Sequence, residues 1–290
     1  MPTDNSHSDS WILAAQCPSR LGTVDVVTRF LKERHCYITE LNSFDDALSQ
    51  RFFIRAVFRP EQGFDEQAFQ RHFAERSGEF DMSFTLNAAS RRVPTIIMVS
   101  KADHCLNDLL YRYRIGQLPI DIRAVISNHP DLEALTAWHQ LPYYHLPVTA
   151  ETRAEQEAQI SEVIDASGAE LIVLARYMQV LTPAFCERVS GRAINIHHSL
   201  LPGFRGARPY HQAWEKGVKL VGATAHYINE DLDEGPIIAQ GVEAVDHTHS
   251  PDDMVARGRD IECLTLARAV RYHVQQRIFL HQGKTVVFAD

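Results

Sequence analysis

Asn195, His197 and His198 stand within four residues of one another, and His211 follows in the same run, AINIHHSLLPGFRGARPYHQAWEKG (193–217). A histidine exchanges protons near neutral pH. An asparagine amide can donate to an oxyanion as a carbonyl becomes tetrahedral. A second run, HYINEDLDEGPI (226–237), supplies His226, Asn229 and the carboxylates Asp231, Asp233 and Glu234. A carboxylate beside a histidine fixes its tautomer and raises its basicity. Asn, His and Asp together suffice for acyl transfer without a covalent intermediate. There is no GxSxG elbow, and no Cys adjoins these groups, so a protein nucleophile is not indicated. Other readings stay open. His198, His211 and His226 taken singly can be structural, Asn195 can cap a turn, and Asp231 and Asp233 can be solvated turn residues. A zinc site from His197, His198 and His226 is disfavoured, because adjacent strand residues face apart and no HxH or HxxxH pairs two of them.

These residues need a strand end to hold them. RAINIHH (192–198) reads as a strand, and in open α/β sheets ligands bind at strand carboxyl ends. Asn195 and His197 alternate around Ile196 and so share one face, with His198 on the other. PGFRG (202–206) then reads as a turn, and Pro209 opens a short helix that ends at Gly217. Upstream, apolar strands at 95–100, 120–128, 143–148 and 169–176 alternate with helices at 106–116, 131–140 and 151–168. That rhythm predicts parallel βαβ units covered on both faces. Strands at 221–229 and 235–245 follow too closely for crossovers, which predicts a mixed or antiparallel end to the sheet. A helix of about thirty residues from Pro251 is expected to close the chain.

The first ten residues read as a disordered tail. Residues 11–87 then run strand, helix, strand, strand, helix, strand, the ferredoxin-like βαββαβ order. AASRRVP (88–94) is the expected linker, leaving 95–290 as a second domain. The fold class is therefore α/β, with a small ferredoxin-like domain before a mostly parallel sheet. Composition agrees with a globular protein: 290 residues, 45% hydrophobic and 23% charged. The net charge of −8 argues against a nucleic-acid partner. Five scattered cysteines with no CxxC argue for reduced thiols and a cytoplasmic location rather than a disulfide framework. The polar start lacks a secretory pattern, and no apolar run of about 18 residues predicts a membrane span.

The ordered run NIHHSLLPGFRG, followed by the His226 strand and the Asp-x-Asp-x-Gly turn, resembles the signature region of the folate-dependent formyltransferase family. The resemblance spans 95–285 in layout and implies a Rossmann-like catalytic domain. It places the family's catalytic Asn, His and Asp on Asn195, His197 and Asp233. It implies that RYMQVLTP (176–183) sets Met178, Val180 and Leu181 against the pteridine, with Asn229 to Asp233, Asp231 included, as a second contacting loop. His198 is then a supporting group. The loop after strand 95–100, SKADHCLNDLL, lacks the Gly-rich phosphate cradle of relatives that formylate a phosphorylated amine. PSRLGTV (18–24) resembles the first loop of an ACT domain, although Pro18-Ser19-Arg20-Leu21-Gly22 departs from the usual Asp-Arg-Pro-Gly. This combination is similar to the branch of the family in which water takes the formyl group of 10-formyltetrahydrofolate, giving tetrahydrofolate and formate. It implies a folate substrate, no separate cofactor and no metal, a small amino-acid effector such as glycine or methionine, and a homo-oligomer. Formyl transfer to a small amine and a non-catalytic folate sensor are the alternatives.

Overall fold

The computed structural model describes residues 10–61, 63–203 and 209–290. Most of the expected tail and residues 204–206 of the expected turn after Pro202 lie outside them. The described chain divides into two compact units. The first holds the N-terminal residues to Arg91 with Gln275–Phe279 and Val287–Asp290, and the second holds Arg92–Val274 with Leu280–Val286. The boundary is therefore not one cut near residues 88–94, because two C-terminal segments belong to the first unit.

The first unit contains β1 (Trp11–Pro18), α1 (Thr23–Glu33), β2 (Cys36–Asp46), β3 (Arg51–Pro60), α2 (Glu66–Ser77) and β4 (Ser83–Ala88). The strands form one antiparallel sheet in the order β2-β3-β1-β4. Alternation in β1 and β3 turns Leu13, Ala15, Phe52, Ile54 and Phe58 towards Val27, Phe30 and Leu31 of α1 and Phe69 and Phe73 of α2. Gly22 begins α1 with φ +93°, a left-handed conformation that a β-carbon would oppose. Strand β3 is buried on both faces. Its other face sets Phe53 against Phe279, while Arg55 pairs with Glu40 and donates to the Gln275 carbonyl. Those C-terminal contacts explain why FFIRAVF (52–58) is a continuous apolar run around one arginine.

The second unit contains β5 (Val93–Val99), α3 (His104–Arg114), β6 (Ile120–Ser127), α4 (Glu133–Trp138), β7 (Tyr143–His145), α5 (Arg153–Ser167), β8 (Leu171–Leu174), α6 (Pro183–Arg188), β9 (Ala193–His197), α7 (Pro209–Glu215), β10 (Leu220–Tyr227), β11 (Ile237–Ala244) and α8 (Pro251–Val274). Its seven-stranded sheet has the order β11-β10-β9-β8-β5-β6-β7. Strands β9 to β7 in that order are parallel, and β10 and β11 are antiparallel, as the close spacing of the last two predicted. Ile96, Ile97, Met98 and all of β8 are buried because helices cover both faces. Ile160 and Ile164 of α5 and Phe185 of α6 join one core layer. The closing helix has 24 residues rather than about thirty. The chain then forms a hairpin, β12 (Ile278–His281) and β13 (Lys284–Val287), with Gln282 and Gly283 both at positive φ. Two successive residues of that kind make the turn that suits a two-residue hairpin.

Candidate active site

A cavity of about 510 Å³ opens where β8 and β9 end. It is lined by Asn195, His197 and Asp233, and also by Met178, Val180, Leu181, Asn229 and Asp231. All eight site residues expected from the sequence thus face one space, including the two loops on either side of β9.

The polar wall is built by strand pairing. β10 runs antiparallel to β9, with His226 opposite Asn195 and Thr224 opposite His197. Directly opposed residues project on the same side of a sheet. The His226 ring is 2% exposed, and its Nδ1 lies 2.9 Å from the Tyr227 carbonyl oxygen. A carbonyl only accepts, so Nδ1 carries the hydrogen. Burial depresses the pKa of His226, which keeps the ring neutral. Its Nε2 is then an acceptor, and Asn195 Nδ2 donates to it at 3.2 Å. This fixes which way the Asn195 amide points. One Nδ2 hydrogen goes to His226 and the second remains for another acceptor.

The acidic loop supplies the opposite contact. Asp233 adopts φ +59°, and its Oδ2 lies 3.2 Å from His197 Nδ1, while Oδ1 lies 3.8 Å from His226 Nε2. Burial raises the Asp233 carboxyl, but the hydrogen bond from His197 and the charge of that ring outweigh it and hold the group below its ordinary value. His197 is 7% exposed, and its Nε2 is buried with no hydrogen-bond partner. With the hydrogen of a neutral ring on Nδ1 for Asp233, Nε2 is a lone pair beside the cavity. Gly235 is required here by contact: a β-carbon would fall 1.7 Å from the Tyr227 oxygen that orients His226.

The apolar wall stands on a hydrogen-bonded loop. Met178 and Val180 are half exposed or more, yet the loop beneath them is fixed. Ser100 at the end of β5 accepts from Met178 N at 2.9 Å and donates to Asn128 Oδ1 at 2.7 Å. Glu157 of α5 accepts from Thr182 N at 2.8 Å, and Tyr177 OH donates to Gln156 Oε1 at 3.3 Å. Asn229 Oδ1 is buried without a partner, which leaves an acceptor at the cavity edge.

One expectation fails. His198 does not turn away from Asn195 and His197, since it lines the same cavity with its ring centroid 5.1 Å from that of His197. The strand ends at His197, so two-residue alternation no longer governs the next side chain. His211 is not among the residues lining the cavity. His226 and Arg176 line it without having been assigned a role from sequence. The signal for His226 was its place in a strand that pairs back onto β9, and a two-stranded register is not visible in spacing alone.

The profile of the Formyl transferase family matches residues 93–270. A formyltetrahydrofolate deformylase from Corynebacterium sp. (strain P-1) is 49% identical over 277 residues, covering 95% of this chain and 97% of the relative. The chain belongs to the formyltetrahydrofolate deformylase family. The crystal structure of a deformylase of that name from Pseudomonas putida KT2440 is 64% identical and superposes with a TM-score of 0.91, covering 97% of this chain and all (100%) of that one. Glycinamide ribonucleotide transformylase 1 from Symbiobacterium toebii is similar over 69% of this chain and 95% of its own, at 28% identity and a TM-score of 0.64.

Proposed function

We propose that this chain is a hydrolase that converts 10-formyltetrahydrofolate and water to tetrahydrofolate and formate. The observation that carries the mechanism is the His197 Nδ1–Asp233 contact of 3.2 Å, which leaves a buried, unpartnered Nε2 beside the Asn195 amide. Water attacks the formyl carbon as His197 Nε2 takes its proton. The carbonyl oxygen becomes an oxyanion and accepts the second Nδ2 hydrogen of Asn195. Asp233 pairs with the imidazolium that forms. On collapse the C–N bond breaks, N10 takes the proton from His197, and formic acid leaves, giving up its remaining proton, the second of the attacking water, to solvent as formate. Each proton is accounted for without a metal or a covalent intermediate. Met178, Val180 and Leu181 offer an apolar surface to the flat pterin, and Asn229 Oδ1 an acceptor for a ring N–H. A cavity of about 510 Å³ suits a group of that size.

The decisive experiment is to incubate the protein with 10-formyltetrahydrofolate alone and assay formate. Release that depends on an added amine would instead mean formyl transfer, and binding without release would mean a folate sensor.

The first unit is assigned to regulation and assembly. Its βαββαβ order supports an ACT module that binds a small amino acid such as glycine or methionine. Its edge strand β2 is 11 residues long and exposes Tyr37, Leu41 and Phe44, which supports pairing with another copy in a homo-oligomer. Full-length protein is the right test, since Phe279 packs on Phe53 and deleting the unit would strip that cover. An amino-acid-dependent shift in melting temperature or mass is expected, and no response to either amino acid would remove the assignment. All five cysteines are free thiols, which supports a reducing, cytoplasmic location. Among the described residues no helix is long and apolar enough to cross a membrane.

A further inference from the structure

A buried ion pair outside the Asn195, His197 and Asp233 set reaches the ring next to His197. Arg176 follows β8 with φ +66°, a left-handed backbone that is unfavourable for a residue with a β-carbon. From there its Nη1 faces His198 Nδ1, and its Nε lies 3.5 Å from Glu262 Oε2. Glu262 on α8 is 2% exposed. It accepts from His104 Nε2 of α3 at 2.7 Å and from Tyr210 OH of α7 at 3.0 Å. Burial raises this carboxyl, but the His104 hydrogen bond and the Arg176 charge outweigh it, so the group is a carboxylate. Three elements therefore converge on one buried anion that offsets the charge of Arg176.

The same corner brings ligand atoms of His104, Cys105 and Glu262 within 4.8 Å of one another. A metal there is disfavoured by chemistry. Glu262 already faces a guanidinium, and a hydrogen bond with Cys263 together with burial pushes the Cys105 thiol far above the range in which it would ligate.

The consequence falls on His198. A guanidinium only donates, so His198 Nδ1 must offer its lone pair, and the hydrogen of the ring sits on Nε2. Protonating Nδ1 would set N–H against N–H. His197 and His198 are 5.1 Å apart between centroids, and a charge on one ring disfavours a charge on the other. Among the described residues, the titratable and charged groups around the pair are Asp233, which senses the charge of both rings, His226 beside His197, and Arg176, Glu262, Tyr210 and His104 beyond His198.

We propose that Arg176, held by Glu262, is a positioning residue that locks His198 as a neutral Nε2–H tautomer, so that His197 alone of the adjacent pair takes up the proton in the reaction. This rests on the reading of His197 as the proton carrier. The test is NMR of the full-length protein labelled with ¹⁵N and ¹³C in histidine, between about pH 5.5 and 8. His198→Gln assigns the signal, and Arg176→Gln is the perturbation. His198 of the natural chain is expected to stay neutral with its hydrogen on Nε2 throughout, and to titrate in Arg176→Gln. A natural-chain His198 that titrates in this range, or that carries its hydrogen on Nδ1, overturns the proposal. So does a folded Arg176→Gln in which His198 is unchanged. If that variant does not fold, the natural-chain titration decides alone. In turnover, Arg176→Gln is expected to lose at least about tenfold in kcat with KM within about threefold, and to shift the acid limb of the pH profile. An unshifted acid limb counts against the proposal. Absence of formate release by the natural chain would sink the hydrolase reading instead, while the tautomer is still read from the spectrum.

Discussion

Asp233→Asn separates the proton-transfer role from a simple binding role. The Asp233 Oδ2 to His197 Nδ1 distance is 3.2 Å. In the proposed mechanism this is a hydrogen bond to a neutral ring before the reaction, and it becomes an ion pair when His197 takes the proton of water. Unit charges at that distance and an effective dielectric of about 20 attract by about 5 kcal/mol. Asp233 is partly open to solvent, so the realised loss is smaller, and about 3–5 kcal/mol corresponds to a fall of roughly 10²–10⁴ in kcat. An amide that turned its NH₂ to Nδ1 would also drive the ring hydrogen to Nε2 and remove the base. KM is expected to change only a few-fold, because the partner of Asp233 is His197. The pH dependence has a defined sign. The folded pKa of Asp233 is depressed below its ordinary 3.8. Its pairing is thus fully present above that value and lost only as pH falls below it. An acid limb near neutrality therefore does not come from Asp233 itself. The assay is steady-state formate release with folate concentration and pH varied. Equal losses in binding and turnover would refute this reasoning and make Asp233 a plain substrate contact.

Asn195→Ala removes the oxyanion donor and should cost about 2.7–4 kcal/mol in the chemical step, with folate affinity measured by equilibrium binding nearly unchanged. A loss seen in affinity alone would assign Asn195 to substrate binding. Gly235→Ala places a β-carbon 1.7 Å from the Tyr227 oxygen, so it should lower the melting temperature and disturb His226 and Asp233 together; a variant with natural stability and turnover would contradict the packing. His273 Nδ1 shares a hydrogen bond of 2.6 Å with the Tyr227 hydroxyl, and burial pushes its pKa down to about 4 from 6.5. The unfolded chain then binds more protons between those values, so stability falls as pH drops through that window, by up to about 3 kcal/mol. Denaturant melts of His273→Gln should show a correspondingly flatter pH dependence, and an identical slope in both proteins would rule out His273 as the source.

The fold was largely legible because its signals are local. Unbroken apolar runs in β5 and β8 express strands covered on both faces, and the close spacing of β10 and β11 leaves no room for a crossover. The C-terminal hairpin was not read. The apolar residues after Val274 continue the preceding helix closely enough to hide it, although Gln282-Gly283 between β-formers is a turn signal. Nothing local marks Gln275–Phe279 as part of the first unit. That assignment comes from Phe53 and Arg55, more than 200 residues earlier, for which the sequence shows only a strand unusually apolar on both faces.

The site divides along the same physical line. Asn195 and His197 were legible because one strand puts both on one face, and Asp233 because an ordered motif accompanied it. The groups that set their protonation are held by long-range contacts. His226 reaches Asn195 through an antiparallel register, and its tautomer is dictated by a backbone carbonyl that no side-chain pattern encodes. Glu262 lies 86 residues from Arg176 on a helix whose pattern of apolar residues would place it in a core, where a carboxylate is costly unless paired. A buried Glu in α8 and a non-glycine in a left-handed turn are each unfavourable alone. Together they satisfy one another through the guanidinium, and only their shared contact beside His198 shows that the two costs belong to one arrangement.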